Sequence, residues 1–260
     1  LKRVTPKKFL GQHFLKDENI ASKIVNSLNV DNAGSIIEVG PGMGVLTKSL
    51  LAHPQFIAYD IDAESIDYLK KLYPNHTEKF AHRDFLKSNL NEMNKPIKII
   101  GNFPYNISSQ LFFQIYESRR NVDEVVCMIQ KEVADRIVSK EGNKVYGILS
   151  VLLQAYYNIT YLFTVKPGVF IPPPKVNSAV IKLKRNDVLE LACDEKLFKT
   201  VVKMGFGKRR KTLRNALKEL NLPLEITNEP VFEKRAEQLS VDQFIALTKM
   251  IRTDGRDSTI

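Results

Sequence analysis

Ser35-Ile36-Ile37-Glu38-Val39-Gly40-Pro41-Gly42-Met43-Gly44 is the stretch that decides the fold. Ser35–Val39 is a short apolar run of strand length, and a turn holding three glycines follows at once. Val45, Leu46 and Leu50 then begin a helix. Strand, glycine turn and helix open a nucleotide-binding βαβ unit, whose glycines let the backbone approach a ligand closely. Position 45 is Val, so the dinucleotide pattern G-x-G-x-x-G is not met and Gly-x-Gly-x-Gly remains. The next strand, residues 55–60, ends in Asp60, about 20 residues beyond Gly40, where a carboxylate meets ribose hydroxyls. Asp62 lies two residues on and faces the other way if the chain stays extended, which makes it the poorer partner. A helix over 64–72 completes the unit.

Two more strand ends extend the series. Residues 79–85 read as strand and turn, and place Asp84 where it could accept from an adenine amino group, with Phe85 flanking the ring. Read singly, Asp84 is equally a surface turn residue. Ile97, Ile99 and Ile100 then lead into Gly101-Asn102-Phe103-Pro104-Tyr105-Asn106-Ile107-Ser108-Ser109, ahead of helical spacing at Leu111, Phe112, Ile115 and Tyr116. Asn102 offers an amide acceptor. Pro104 turns Phe103 away from the α region and leaves its carbonyl outside any helical ladder. Tyr105 supplies a flat ring for stacking. Such a set suits the amino group of a base that has left its stack; the alternative is a turn that only joins strand to helix. Gly40, Asp60, Asp84 and Asn102 follow successive strand ends, an order hard to obtain by accident. The Gly-x-Gly-x-Gly turn after Glu38 has the usual form of S-adenosylmethionine enzymes, which have no pyrophosphate to seat.

The 260 residues suffice for one large domain and one small one, and 43% hydrophobic with 26% charged residues describe an ordinary globular chain. The net charge of +10 favours a polyanionic partner without naming it. Cys127 and Cys193 form no metal spacing, and His13, His53, His76 and His82 form no metal-like cluster, so no metal is expected. No apolar leader and no run of about 18 apolar residues occurs. The expectation is a cytoplasmic monomer without membrane contact.

The first 16 residues form a basic arm (Lys2, Arg3, Lys7, Lys8, Lys16) around Gly11-Gln12-His13-Phe14-Leu15, and Asp17 reads as the cap of a helix through Ile20, Ile24, Val25 and Leu28. Val125–Ile129 reads as a buried strand, residues 132–138 as an amphipathic helix, 146–157 as a long apolar helix and 179–183 as a strand. Pro172-Pro173-Pro174 stiffens the chain after Phe170. A boundary near 184 divides residues 1–184, the ligand-binding domain, from 185–260, a small all-helical domain. Residues 203–218 carry Lys203, Lys208, Arg209, Arg210, Lys211, Arg214 and Lys218 with no acid among them. A helix here would bury Leu213, Leu217 and Leu220; its charges are a solvated face or a contact for RNA phosphates, and a base-modifying site favours the latter. Residues 235–248 read as a packing helix.

The chain resembles the ribosomal RNA adenine N6,N6-dimethyltransferase family, whose members act on small-subunit rRNA. The resemblance covers nearly the whole chain. It rests on Gly11–Leu15, residues 38–44 and 102–109, Gln130-Lys131-Glu132-Val133, residues 146–151, Phe170-Ile171-Pro172-Pro173-Pro174-Lys175-Val176-Asn177-Ser178-Ala179-Val180 and residues 206–215. It implies a doubly wound, Rossmann-like α/β S-adenosylmethionine-binding domain followed by a helical RNA-binding one. It implies cofactor contacts at His13, Leu15, Gly40, Asp60, Asp84 and Asn102, where relatives often have Asn at the first position and Glu at the fourth. The target adenine would meet Asn102, the Phe103 carbonyl, Pro104 and Tyr105, with Phe170 a second aromatic neighbour. Lys208, Arg209, Arg210, Lys211 and Arg214 would contact RNA. The implied reaction places two methyls on each of two adjacent adenosines near the 3′ end of the rRNA, within the small subunit or an assembly intermediate. A large-subunit rRNA methylase, an RNA-binding assembly factor with incidental catalysis and a nicotinamide dehydrogenase, the last disfavoured by Val45, are the rival readings.

Overall fold

The computed structural model describes residues 3–253; residues 1–2 and 254–260, and with them Lys2 of the basic arm, lie outside it. The chain forms two compact units. The first takes residues up to Ala134 together with Asn158–Arg185, and the second takes Asp135–Tyr157 together with the chain from Asn186 onward.

The strands, all in the first unit apart from Tyr157, are β1 (Phe14–Leu15), β2 (Ser35–Val39), β3 (Phe56–Asp60), β4 (Phe80–His82), β5 (Ile97–Asn102), β6 (Val122–Gln130), β7 (Tyr157–Val165), β8 (Phe170–Ile171) and β9 (Ser178–Arg185). Among the described residues a seven-stranded sheet runs in the order β4-β3-β2-β5-β6-β9-β7. The β2–β3, β3–β4, β2–β5 and β5–β6 pairs are parallel, and β9 returns antiparallel to β6. Every residue of β2 is buried, as a strand covered on both faces requires. Helices α1 (Glu18–Asn26), α2 (Thr47–Leu50), α3 (Ala63–Leu72) and α4 (Ser108–Glu117) connect the strands. Asp17 caps α1, its Oδ1 accepting from Asn19 N and Ile20 N at 3.0 Å each. Asp62 caps α3 in the same way, accepting from Glu64 N at 3.1 Å.

The chain leaves β2 toward β3 and β4 on one side, and toward β5 and β6 on the other. The order therefore reverses between β2 and β5, and in such sheets the crevice at that switch point takes the ligand. The two strands are held unusually close there: a Cβ on Gly101 would stand 2.3 Å from the Val39 carbonyl oxygen, so only glycine fits.

Three expectations are corrected. The apolar run 146–157 forms one helix, but a shorter one than expected: after α5 (Lys131–Val138) comes α6 (Ile148–Gln154), and Tyr157 already begins β7. The pattern Tyr-Asn-Ile-Thr-Tyr-Leu-Phe-Thr-Val is rich in β-branched and aromatic residues, which favour a strand. Residues 135–157 also join the second unit, whereas a single cut near 184 assigns them to the first. The reason is local packing: Tyr156 Oη donates to Glu195 Oε1 at 2.8 Å, Asn186 N to the Tyr156 carbonyl at 3.0 Å, and Tyr146 meets Phe206 edge-on at 5.8 Å. Third, the helix expected over 235–248 is a 3-10 turn (Ala236–Gln238) followed by α10 (Val241–Thr253); α7 (Glu195–Gly207), α8 (Leu213–Ala216) and α9 (Leu224–Thr227) precede it.

Candidate active site

A cleft of about 180 Å3 opens at the carboxyl ends of β2, β3 and β5. Its wall brings together Leu10–Phe14 of the basic arm, Gly40, Gly42, Asp60, Ile61, Asp84, Leu86 and the run from Asn102 to Ile107. Gly40 has φ +70°, left-handed backbone that suits glycine, and its N–H donates to the Tyr59 carbonyl at 2.9 Å.

Asp60 is buried, and both its oxygens are oriented: Asp62 N donates to Oδ1 at 2.9 Å and Gly42 N to Oδ2 at 3.4 Å. Burial pushes this carboxyl up to about 6, against the pull of those two N–H groups. Asp84 caps the next turn, accepting from Leu86 N at 3.0 Å, and its Oδ2 lies 4.0 Å from Lys87 Nζ.

At the other end, Asn102 Nδ2 donates to the His13 carbonyl at 2.7 Å. A carbonyl can only accept, so this bond fixes the amide with its oxygen as the remaining polar end. Phe103 is 1% exposed; its N–H donates to the Met128 carbonyl at 3.0 Å, and among the described residues no donor reaches its own carbonyl. Tyr105 Oη lies 2.5 Å from Ser178 Oγ, and its ring centroid is 5.2 Å from that of His13. His13 Nδ1 is 2.7 Å from the Pro172 carbonyl, so that nitrogen carries the proton.

Two expected site residues stand elsewhere. Phe170 is 1% exposed and belongs to the hydrophobic core with Val126, Met128 and Val180; it is not on the cleft wall. β8 pairs antiparallel with β1, Leu15 opposite Phe170, and both side chains join the buried cluster. Leu15 itself lines a smaller neighbouring cavity with Glu38, Gly40, Met43 and Val45.

Other groups complete the surroundings of the cleft. Glu38 is 1% exposed, accepts from Thr47 Oγ1 at 2.7 Å, and is pushed up to about 8 by burial. Ile61 and Leu86 give the cleft apolar walls; Ile61, directly after Asp60, is half exposed and could have been inferred from that adjacency. Gln12, on the cleft wall, donates to Asp62, which lies off it, and no periodic signal marks that contact.

In the second unit the run 203–218 is not one helix. The glycine-rich end of α7 breaks it, so Lys208 to Lys211 form a turn and α8 begins only at Leu213. Leu213 and Leu217 are buried, as expected. Acids distant in sequence reach the bases: Lys208 pairs with Glu219 at 2.7 Å, Arg214 with Glu233 at 2.6 Å, and Arg209 lies 3.9 Å from Glu237. Among the described residues Arg210 and Lys211 are exposed and have no acidic partner.

No described helix is long and apolar enough to cross a membrane, and the described residues hold no His, Cys, Asp or Glu group of metal-binding form. Comparison with known proteins then gives a consistent result. The family model for ribosomal RNA adenine dimethylase matches residues 3–253. The ribosomal RNA small subunit methyltransferase A of Flavobacterium johnsoniae is 53% identical over 99% of this chain and 100% of its own. That of Cytophaga hutchinsonii is 54% identical over 96% of this chain and 99% of its own. Among solved structures, a dimethyladenosine transferase from Plasmodium falciparum superposes with a TM-score of 0.76 at 26% identity, covering 90% of this chain and 96% of its own. The 23S rRNA methyltransferase ErmE shares the fold, with a TM-score of 0.68 at 21% identity over 90% of this chain and 99% of its own.

Proposed function

The chain belongs to the ribosomal RNA adenine dimethylase family, and from that membership we propose that it uses S-adenosylmethionine to dimethylate N6 of two adjacent adenosines near the 3′ end of small-subunit rRNA during ribosome biogenesis. The observation that carries this reading is the pair of unengaged acceptors at one end of the cleft, the Asn102 amide oxygen and the Phe103 carbonyl.

The cleft suits the cofactor. Asp60, with both oxygens aimed by backbone N–H groups, has the acceptors a ribose needs; Gly40 leaves room for close approach; Asp84 stands where an adenine amino group would be met, and His13 bounds the arm side, with Leu15 in the adjoining cavity. Bound there, S-adenosylmethionine supplies a methyl group on an electrophilic sulfonium.

This chain's residues do the rest by positioning. The N6 amine of adenine is a poor nucleophile because its lone pair is delocalised into the ring. Asn102 Oδ1 and the Phe103 carbonyl accept its two hydrogens, which favours a pyramidal nitrogen and stabilises the positive charge that grows as the N–C bond forms. Their donors and backbone are already fixed, so little reorganisation is required. Pro104 keeps the Phe103 carbonyl out of α4. Tyr105, tied through its hydroxyl to Ser178, offers its face to the base. No general base is needed, since the proton leaves from a nitrogen already made acidic by methylation. Arg210 and Lys211 contact rRNA phosphates within the small subunit.

The test is mass mapping of methylated adenines after incubation with undermethylated small and large subunits. Dimethyladenosine at two adjacent positions of small-subunit rRNA is expected. Methylation confined to the large subunit, or none, overturns the reading.

A further inference from the structure

The basic arm is tied down on both sides of the cleft. On the side that follows β3, Lys7 Nζ forms an ion pair with Asp62 Oδ1 and lies 3.3 Å from Glu64 Oε2. Gln12 Nε2 donates to Asp62 Oδ2 at 3.0 Å, and Gln12 Oε1 accepts from Lys7 N at 2.8 Å, closing the loop between them. On the side that follows β5, Asn106 Nδ2 donates to the Phe9 carbonyl at 3.1 Å and Asn102 Nδ2 to that of His13. Between these moorings, Leu10 to Phe14 form part of the cleft wall.

Asp62 does more than cap α3. An uncharged Asn would cap as well, yet the Asp62 side chain is 2% exposed and receives Lys7, Gln12 and Ser65 besides the Glu64 N–H. Its carboxyl is held below the usual range by Gln12 and Lys7 despite burial. Asp62 is absent from the cleft wall, and its backbone N–H orients Asp60.

We propose that Lys7, Gln12 and Asp62 form a latch that closes the arm over the cofactor cleft, with Asp62 a positioning residue that sets cofactor retention rather than chemistry. This rests on the cofactor reading above. A cofactor seated under the arm leaves only when the arm lifts, and lifting it breaks a charged contact whose carboxylate is buried and whose lysine is 29% exposed.

Asp62→Asn keeps the cap and the backbone bond to Asp60 but removes the ion pair. With the full chain, S-adenosylmethionine titrations should show Kd raised about tenfold in Asp62→Asn and in Lys7→Met, the loss of one charged hydrogen bond. The increase should lie in faster dissociation, with the single-turnover transfer rate at saturating cofactor unchanged. Lys7→Arg should stay near the native value, and the double variant should be no weaker than the worse single one, since both remove the same interaction. Amide hydrogen exchange at Gly11 and Gln12 in the cofactor-free chain should be faster in Asp62→Asn. An unchanged Kd with native exchange, or additive losses in the double variant, overturns the latch. A native chain that does not bind S-adenosylmethionine overturns the cofactor reading instead, and the exchange comparison then decides the latch alone.

Discussion

The cleft and the basic turn both gather polar groups from residues that propensity alone would leave at random, but they do so by opposite physics. At the cleft a few groups are buried, and each has its orientation fixed by a named partner: Asp60 by two N–H groups, Asn102 by the His13 carbonyl. At the turn many charges are exposed, and several are met by exposed carboxylates. Burial makes direction valuable and repetition costly; exposure makes each ion pair weak, within about 1 kcal/mol, so number has to stand in for direction. Single substitutions should therefore have large effects in the first region and small, graded ones in the second.

The sharpest break with that contrast comes from Phe170. Because its ring is in the core, Phe170→Ala should cost about 3–5 kcal/mol of stability in denaturant melts, whereas Tyr105→Ala should leave stability near native and weaken RNA methylation by about 1–3 kcal/mol. A Phe170→Ala chain with native stability and a selective loss of RNA methylation would return that ring to the cleft.

Next in size is Asn102→Ala. Removing one oriented acceptor should cost about 2.7–4 kcal/mol in transfer, read as a fall in single-turnover rate at saturating cofactor and RNA. The same variant releases the His13 carbonyl, so a modest loss of cofactor affinity accompanies it. Native turnover would show that orientation at this position is not what the reaction uses.

Asp60 gives a smaller effect with a defined sign. Its carboxyl is raised to about 6 in the folded chain, so protonation below that value removes an acceptor for the ribose, and cofactor affinity should fall as pH drops through it. Stability moves the other way. An acid with a raised folded pKa contributes stability below its unfolded value and loses that contribution as pH rises through the folded one. Titration and melting on both sides of that pH should show the two trends opposed; parallel trends would mean that Asp60 does not meet the cofactor.

The smallest effect belongs to the turn. Changing Arg210 and Lys211 to Gln should flatten the dependence of log RNA affinity on log salt by about 0.7–0.9 for each phosphate no longer neutralised. Lys208→Gln and Arg214→Gln should change it less, since those bases already face Glu219 and Glu233. Equal effects at all four positions would erase the distinction between paired and unpaired charge.

The same contrast explains what could be read from the chain alone. The strand-end positions Gly40, Asp60, Asp84 and Asn102 were legible because a parallel sheet buried on both faces leaves an apolar run with a clear end, and topology brings those ends together. Position on the sheet does not set which way a ring turns, and Phe170, expected beside the base, packs with Leu15 in the buried cluster. The turn at Lys208–Lys211 reads as helix because charge carries no period of its own there, and β7 is hidden because the apolar run 146–157 leads directly into it. The moorings of the arm depend on Lys7 and Asp62, far apart in sequence, and nothing local marks such a pair.

The interleaving of the two units bears on how the chain is made. Residues 135–157 emerge from the ribosome before β9 and well before α7, yet Leu149, Val151, Leu152 and Leu153 are buried within a unit that later residues complete. During synthesis α6 therefore waits as an uncovered apolar segment, a natural client for a holding chaperone. A nonsense mutation just after Arg185 would leave that segment permanently without cover. Such a product should be removed by proteolysis or aggregate, and it would not survive as a smaller methylase. Loss of the second unit is thus closed to gradual truncation from the carboxyl end.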